Sequence, residues 1–374
     1  MTSFALKTLL SDRGKLLTGL GGVIFSLVLV NMQGGLFLGL IHKASVLIDD
    51  CDADLWVGHR LLENVDFAHD IPAGWQNRIR GLPGIERVDE YIVGKGVATL
   101  SNGGYEDVWV VGSDPATMRG SGWRFIEGCR DDLRRPNAVS IDDIDSRKLG
   151  HPNVGSTIEV NGKKAKVVAK TTGITGFATT PYLFTTLGTA RELTLAPPGY
   201  CSYFLVKAVE GADVDDLRRA VAHLLPDADV YSPADLAQLS QDYWMKRTGI
   251  GASFGTATIL GLLVGLVMVG QSLYALALDH LGDYATLKAM GAEDGHVYRV
   301  IIVQSMTIAS AGSLIGLVIV TAIRRNWNVT LAPIEIPPGL QIAGVIFVYF
   351  ICLASSLLPF VRIRSVDPAV VLQG

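Results

Sequence analysis

Charged residues are missing from four long apolar stretches of this 374-residue sequence. A helix of roughly 20 apolar residues is long enough to cross the ~30 Å hydrocarbon core of a bilayer. The chain is therefore predicted to be an α-helical membrane protein whose four transmembrane helices cover residues 16–41, 250–278, 300–323 and 340–361.

Recognisable catalytic motifs are also missing. The sequence contains no G-x-x-x-x-G-K-[ST], no G-x-S-x-G and no H-E-x-x-H. Asp142, Asp143 and Asp145 form a small acidic cluster that reads as a loop and helix cap. We therefore expect no ATP site in the chain, no catalytic residue, no metal site and no cofactor.

Cysteine is scarce, with four residues in the whole chain. Cys51, Cys129 and Cys201 lie between the first two apolar stretches, and Cys352 lies in the fourth. Three cysteines in an oxidising compartment allow one disulfide and one unpaired thiol. Their spacing selects no pair, so free buried cysteines and a bridge both remain open.

The long segment between the first two apolar stretches, residues 42–247, has the mixed pattern of a folded domain. Asn102-Gly103-Gly104 and Asn161-Gly162 each separate two strand-like runs, which is typical of β-hairpins. Residues 182–193, 214–225 and 235–247 are predicted to be helical, the last running on into the second transmembrane helix. The segment is predicted to be a large α+β domain with an insert subdomain at about 130–195. Strands from both ends of the domain are expected to share one sheet.

Lysine and arginine placement predicts the orientation in the membrane. The leader, residues 1–15, the loop at 279–299 and the tail at 362–374 all carry basic residues and are expected in the cytoplasm. Arg324 and Arg325 follow the third helix and argue for the opposite orientation, but they are outnumbered. Residues 42–247 are then extracytoplasmic. The first apolar stretch is longer than a signal-peptide core and lacks a cleavage site, so it is expected to remain as an anchor.

Ionisable residues are absent from the transmembrane stretches, where they would mark an ion or proton path. Small residues recur there at four-residue spacing, which lets helices approach closely in lipid. Eight such glycines are expected to pack helices: Gly35, Gly39, Gly251, Gly255, Gly261, Gly265, Gly312 and Gly316. The six in spans one and two pack either within one chain or across a homodimer.

The loop between the second and third spans can form a short amphipathic helix that ends at Gly291. Such a helix could be a passive connector, lie on the membrane surface or dock in the groove of a partner. In a docked helix, three apolar residues would be anchors and Lys288 a charge at the rim; the candidate coupling residues are Asp283, Tyr284, Leu287, Lys288, Met290 and Gly291.

The loop sequence Asp-Tyr-Ala-Thr-Leu-Lys-Ala-Met-Gly-Ala, residues 283–292, resembles a conserved segment of FtsX/MacB-type ABC transporter permeases. It is most similar to the DevC subgroup, known from heterocyst glycolipid export. The tail Arg364-Ser-Val-Asp-Pro-Ala-Val-Val-Leu and the segment Asp54-Leu-Trp-Val-Gly resemble two further parts of that family. Asp283 replaces the usual Glu and Ala285 the usual Gly.

The resemblance implies a permease subunit of an ABC exporter that works by mechanotransmission with a separate ABC ATPase subunit. It also implies a homodimer in the bacterial cytoplasmic (inner) membrane, with a periplasmic adaptor and an outer-membrane channel as further partners. The cargo would be a lipid, a glycolipid or another amphiphile, and no nucleic acid is expected as a partner. Two alternatives are open: an FtsX-like permease for lipoprotein release or cell-wall-hydrolase control, and a membrane-anchored scaffold or binding module without an ATPase.

Overall fold

The computed structural model describes residues 2–177, 180–326 and 334–364, and the side chains of residues 2–4, 287–289, 294, 358 and 362–364 lie outside that description. The chain divides into two compact units. The first consists of Met1–Gly39 and Gly251–Gly374, and the second is Leu40–Ile250.

The described residues form helices of very different lengths. In chain order they are α1 Thr2–Ser11, α2 Arg13–Lys43, α3 Val46–Asp49, α4 Trp75–Arg80, α5 Leu187–Thr194, α6 Val214–Leu224, α7 Pro233–Asp242, α8 Ile250–Asp279, α9 Leu281–Ala289, α10 Asp294–Asn326, α11 Pro338–Ser355 and α12 Leu357–Arg364.

The described strands all belong to the second unit. They are β1 Leu55–His59, β2 Ile71–Pro72, β3 Ile85–Thr99, β4 Tyr105–Ser113, β5 Phe125–Glu127, β6 Ala138–Asp142, β7 Thr157–Val160, β8 Lys163–Thr171, β9 Tyr182–Thr186, β10 Tyr200–Cys201, β11 Tyr203–Ala208 and β12 Ala228–Tyr231.

The first unit contains four helices that are long and apolar enough to cross a membrane: α2, α8, Gly295–Asn326 within α10, and Pro338–Val361, which spans α11 and part of α12. The four transmembrane helices predicted from the sequence are thus confirmed. Helix α2 supplies Val23 and Leu27 to the core of this bundle, where they meet residues of the other three long helices; these are Val269 and Leu273 of α8, Ile308 of α10 and Val348 of α11.

The second unit is built on a ten-stranded mixed sheet. Its strand order is β12-β1-β11-β3-β4-β9-β6-β8-β5, with β7 paired to both β3 and β8. Neighbouring strands are mostly antiparallel, but β4 with β9 and β6 with β8 are parallel. The predicted large α+β domain between the first two transmembrane helices is confirmed. Strand β1, near the start of the domain sequence, pairs with β12, near its end. The segment predicted as an insert, about 130–195, contributes β6 to β9 to this same sheet.

Both faces of the sheet are buried because side chains alternate along each strand. In β1, Leu55 and Val57 belong to one hydrophobic core, whereas Trp56 belongs to the other. Helices α4, α5 and α6 cover the first core, and α3 and α7 cover the second.

The predicted hairpin at Asn161-Gly162 has the backbone of a type I′ turn, since φ is +49° at Asn161 and +76° at Gly162. Strands β7 and β8 pair directly on either side of it. The turn predicted at 102–104 lies in the five-residue connection between the paired strands β3 and β4, in which Gly103 has φ +82°.

Two secondary-structure predictions were wrong. Residues 182–186 are strand β9 and not helix, because all five are buried and pair with β4; helix α5 begins only at Leu187. The helix predicted to run from residue 235 into the second span is also interrupted. A π-helical turn, Tyr243–Arg247, follows α7, and Gly249 with φ +73° precedes α8.

Candidate functional site

The loop between the second and third spans does contain a short helix, α9, as its sequence pattern predicts. It begins two residues after α8 ends, and Gly291 follows it with φ +93°, a conformation that glycine adopts without strain. The loop therefore presents a nine-residue helix between two long helices.

Tyr284 fixes this helix to the bundle. Its side chain is only 1% exposed and lies in a small apolar core with residues of several other helices; these are Ala5 of α1, Ala277 of α8, and Val297, Val300 and Ile301 of α10. Phe360 of α12 packs against the same core. Through this core α9 lies against α1 and against the ends of α8 and α10 that are predicted to face the cytoplasm.

The structure distributes the candidate coupling residues over different environments. Tyr284, expected to be an anchor for a partner, is buried within its own chain and is not available to one in this conformation. Met290 is 73% exposed. The carboxylate of exposed Asp283 lies 2.9 Å from Nδ1 of His280. The side chains of Leu287 and Lys288 lie outside the described residues.

The glycines of the long helices mark close approaches to α2. A Cβ built on Gly265 would lie 2.8 Å from the Cβ of Ser26, and one on Gly316 would lie 2.8 Å from Cδ2 of Leu27. Gly261 meets Leu29 and Gly312 meets Val23 in the same way. These contacts all lie within one chain, which is the first of the two alternatives that the sequence left open.

The remaining predicted packing glycines differ among themselves. A Cβ on Gly35 would approach Cγ1 of Ile336 at 2.7 Å, whereas one on Gly255 would meet nothing within 4 Å. Gly39 is buried and Gly251 is partly exposed. Gly255 alone of this set thus lies on an open surface of its own chain.

Polar side chains in the long helices connect helices or bond to their own backbone. The Ser26 hydroxyl donates to the Gly261 carbonyl at 3.2 Å, and that of Ser355 donates to Leu266 at 3.1 Å. Buried Asn31 donates to the Leu27 carbonyl at 2.9 Å. These groups stabilise the bundle, and the four apolar stretches contain no Asp, Glu, Lys, Arg or His, the residues that usually mark an ion path.

The acidic cluster lies in the second unit, which is called the outer unit after the location predicted for it, and the cluster is partly buried. Four donors surround the Asp142 carboxylate, including the backbone N–H of Ile174 at 2.8 Å. Burial raises the pKa of Asp145 to about 7, and the nearby Lys43 ammonium opposes that rise. Within the residues that the structure describes, no group of three or more His, Cys, Asp or Glu side chains could hold a metal ion. All four cysteines are free.

Sequence reasoning missed a cavity of about 170 Å³ in the outer unit. Asp66, Phe67, Lys95, Trp109 and Trp244 line it, together with residues of β4 and Thr180. These residues come from five separate parts of the chain, so no local sequence motif indicates the cavity.

Comparisons with known families and proteins identify both units. The family described as MacB-like periplasmic core domain matches residues 20–224, and the family described as FtsX-like permease C-terminal matches residues 255–368. Together they cover most of the chain, in the order expected from its sequence. Neither family description separates out a DevC subgroup.

The individual relatives and solved structures that resemble this chain have low sequence identity to it. An uncharacterised ABC transporter permease of Mycobacterium tuberculosis is 23% identical over 241 residues, covering 64% of this chain and 62% of the relative. One of Methanocaldococcus jannaschii is 21% identical, covering 59% of this chain and 58% of the relative. The chain thus spans about three fifths of the length of these relatives.

Two solved structures are similar at 13% identity: the periplasmic region of MacB from Actinobacillus actinomycetemcomitans and the extracellular domain of the noncanonic ABC-type transporter YknZ from Gram-positive bacteria. The TM-scores are 0.39 and 0.38. The matches cover 51% and 48% of this chain, and 94% and 99% of those chains. Because the periplasmic-core family alone matches more than half of the chain, this protein belongs to the FtsX/MacB-type ABC transporter permeases.

Proposed function

We propose that this chain is the membrane subunit of an ABC exporter and that a separate ATPase subunit drives it by mechanotransmission. It spans the bacterial cytoplasmic membrane four times, with both ends and the α9 loop in the cytoplasm and residues 42–247 outside. The cargo is a lipid, a glycolipid or another amphiphile. A second copy of the chain completes the permease, and a periplasmic adaptor with an outer-membrane channel completes the route.

The burial of Tyr284 supports this proposal best. A passive connector needs no fixed contact with the bundle, yet this side chain places α9 against α1, α8 and α10 in one apolar core. Close-packed protein interiors transmit strain because they are hard to compress. A push on the exposed side of α9 therefore moves the ends of the long helices.

The proposal separates two roles within the coupling segment. Exposed Met290, with Leu287 and the rim charge Lys288, is assigned to docking on the ATPase, with Asp283 beside them. Tyr284 is assigned to passing the movement on. Gly291 permits the sharp turn that ends the segment, since its φ is +93°.

Pull-down of the ATPase tests the docking role. Truncated apolar anchors at an interface commonly cost roughly 2 kcal/mol or more, whereas rim charges mainly change association rate and salt dependence. Leu287→Ala and Met290→Ala are thus expected to reduce ATPase recovery at least tenfold, and Lys288→Ala much less. Tyr105→Ala is the matched control, since Tyr105 is 72% exposed in the outer unit. Full recovery by a Leu287/Met290 double alanine variant would contradict docking at this loop.

Activity in reconstituted vesicles tests transmission. Tyr284→Phe keeps the ring and should retain stimulated ATPase activity, whereas Tyr284→Ala should keep ATPase recovery but lose most of the stimulation. The chain alone is expected to hydrolyse no ATP. Equal stimulation by the wild type and Tyr284→Ala would contradict the transmission role, and a permease that recruits no ATPase at all would favour the scaffold alternative.

A further inference from the structure

The cavity in the outer unit has rigid aromatic walls. Trp244 stacks on Phe177 with ring centroids 4.2 Å apart and an interplanar angle of 19°. The Phe67 ring meets Trp109 at 5.9 Å and Tyr243 at 5.6 Å, both edge to face. Because each ring is held by another, the walls are formed before any ligand arrives, which lowers the cost of binding.

Two of these rings already attract a cation. The Lys95 ammonium lies 5.4 Å from the centroid of Phe67 and 5.3 Å from that of Trp109, within the range of cation–π contacts. Lys95 is an exposed residue on the long strand β3, so its flexible side chain can leave the rings without unfolding anything. The ring faces are a cation site with an exchangeable occupant.

Carboxyl groups set the charge of the cavity. Asp66, only 3% exposed, lines the cavity and accepts a 2.6 Å hydrogen bond from the Tyr182 hydroxyl, and exposed Asp107 also lines it. Lys95 is the one basic residue among the lining residues that the structure describes. When both carboxyls are ionised and Lys95 swings out, the cavity carries two negative charges beside open aromatic faces.

The size of the cavity limits its ligand. The indole nitrogen of Trp244 is buried and has no hydrogen-bond partner among the described residues, so Trp244 contributes its ring to the wall and no accessible donor. The cavity, at about 170 Å³, has room for about six waters at roughly 30 Å³ each, which suits a small headgroup.

We propose that this cavity binds an organic ammonium group, primary or methylated, between Phe67 and Trp109, with Asp66 as counter-ion and Lys95 as the internal competitor it displaces. The site is distinct from the docking loop and does not depend on the proposed export function.

Binding of choline to the full-length protein in lipid nanodiscs tests the proposal, with 3,3-dimethylbutan-1-ol as the neutral molecule of nearly the same shape. Tryptophan fluorescence and calorimetry at pH 8 are the readouts, because burial raises the pKa of Asp66 to about 6 and the carboxyl is ionised there. We expect saturable choline binding and at least tenfold weaker binding of the alcohol. Equal binding of the two, or none of choline, would overturn the proposal.

Variants test the assigned roles in opposite directions. Asp66→Asn keeps an acceptor for Tyr182 and should weaken choline binding at least fivefold, whereas exposed Asp215→Asn on α6 should leave it unchanged. Lys95→Met should tighten it at least threefold by removing the competitor. Weaker binding by Lys95→Met would overturn the proposal even if Asp66→Asn failed to fold.

The source of the amine is a separate arm of the same experiment. Discs of phosphatidylglycerol are compared with discs containing phosphatidylethanolamine. A lower apparent choline affinity in the second set identifies a lipid headgroup as the ammonium that competes for the cavity. Unchanged affinity, with saturable choline binding in both sets, identifies a soluble amine.

Discussion

Buried carboxyl groups distinguish the domain between the first two long helices from a domain whose charged side chains all face water. Asp66 has no salt-bridge partner among the residues that the structure describes; the Tyr182 hydroxyl donates a hydrogen bond to it, and desolvation raises its pKa above the ordinary value of 3.8 to about 6. The folded state therefore binds a proton more tightly than the unfolded chain does. Asp66 favours folding fully below about pH 4, and that contribution is lost as the pH rises through 6.

This direction of the pH dependence predicts the effect of Asp66→Asn on the free energy of unfolding. The amide oxygen can still accept from Tyr182 and carries no charge to desolvate, so the variant should be more stable than the wild type at pH 8. A shift of about two pKa units corresponds to at most about 3 kcal/mol, and we expect about 1–3 kcal/mol. At pH 4.5 the two proteins should differ little. Thermal melts of the full chain in detergent at both pH values measure this, with Asp215→Asn as the control. A lower melting temperature for Asp66→Asn at pH 8 would contradict the assignment.

At the scale of elements, the glycine spacing in the long helices has a concrete consequence. Gly265 has no room for a side chain, because even a Cβ would lie 2.8 Å from that of Ser26, whereas Gly255 on the same helix α8 has open space. Gly265→Leu and Gly255→Leu thus make the same chemical change in the same helix at sites of opposite packing.

We expect Gly265→Leu to destabilise the full chain by about 1–3 kcal/mol or more, the usual cost of overpacking, and Gly255→Leu to leave the melting temperature nearly unchanged. Native mass spectrometry on the same samples reports any homodimer. If Gly255→Leu dissociates a dimer without lowering the melting temperature, the open face of α8 is part of that interface. Equal melting temperatures for the two variants would contradict the observed packing of α8 on α2.

The sequence predicted those elements whose signal is local. Uncharged apolar runs identified the long helices, and Asn161-Gly162 identified a hairpin because its turn requires positive φ. Strand β9 was mistaken for a helix because all five of its residues are buried, which removes the alternation that marks a half-exposed strand.

The functional surfaces were less predictable. The amphipathic pattern of α9 could not say which face meets the bundle, so Tyr284 was assigned to a partner although it packs inside. The cation cavity assembles Asp66, Lys95, Trp109 and Trp244 from distant segments. Lys95 and Trp109 lie on the sheet, whereas Asp66 precedes β2 and Trp244 lies in the π-helical turn after α7, so only the folded domain brings them together.

At the scale of the whole molecule, the exporter proposal depends on the side of the membrane on which each unit lies. The export proposal requires the outer unit and the α9 loop to be on opposite sides, since ATP is in the cytoplasm and cargo leaves from the outside. The sequence bears on this through its Lys and Arg distribution, in which Arg324 and Arg325 oppose the majority.

Native cysteines make this orientation measurable. Of the four free thiols, Cys129 is exposed, whereas Cys51, Cys201 and Cys352 are buried and poorly reactive. A Cys129→Ser background thus offers few competing thiols. Lys163→Cys, beside the Asn161-Gly162 turn, and Glu293→Cys, after α9, both replace exposed residues.

We expect a membrane-impermeant maleimide to label Lys163→Cys on intact spheroplasts and to label Glu293→Cys only after the membrane is opened. The wild-type Cys129 should be labelled on intact spheroplasts as well, which gives an internal control within the same outer unit. Labelling of Glu293→Cys without opening, or protection of Lys163→Cys, would reverse the topology. That result would place α9 where no ATPase can reach it, and the exporter proposal would fail at its first physical requirement.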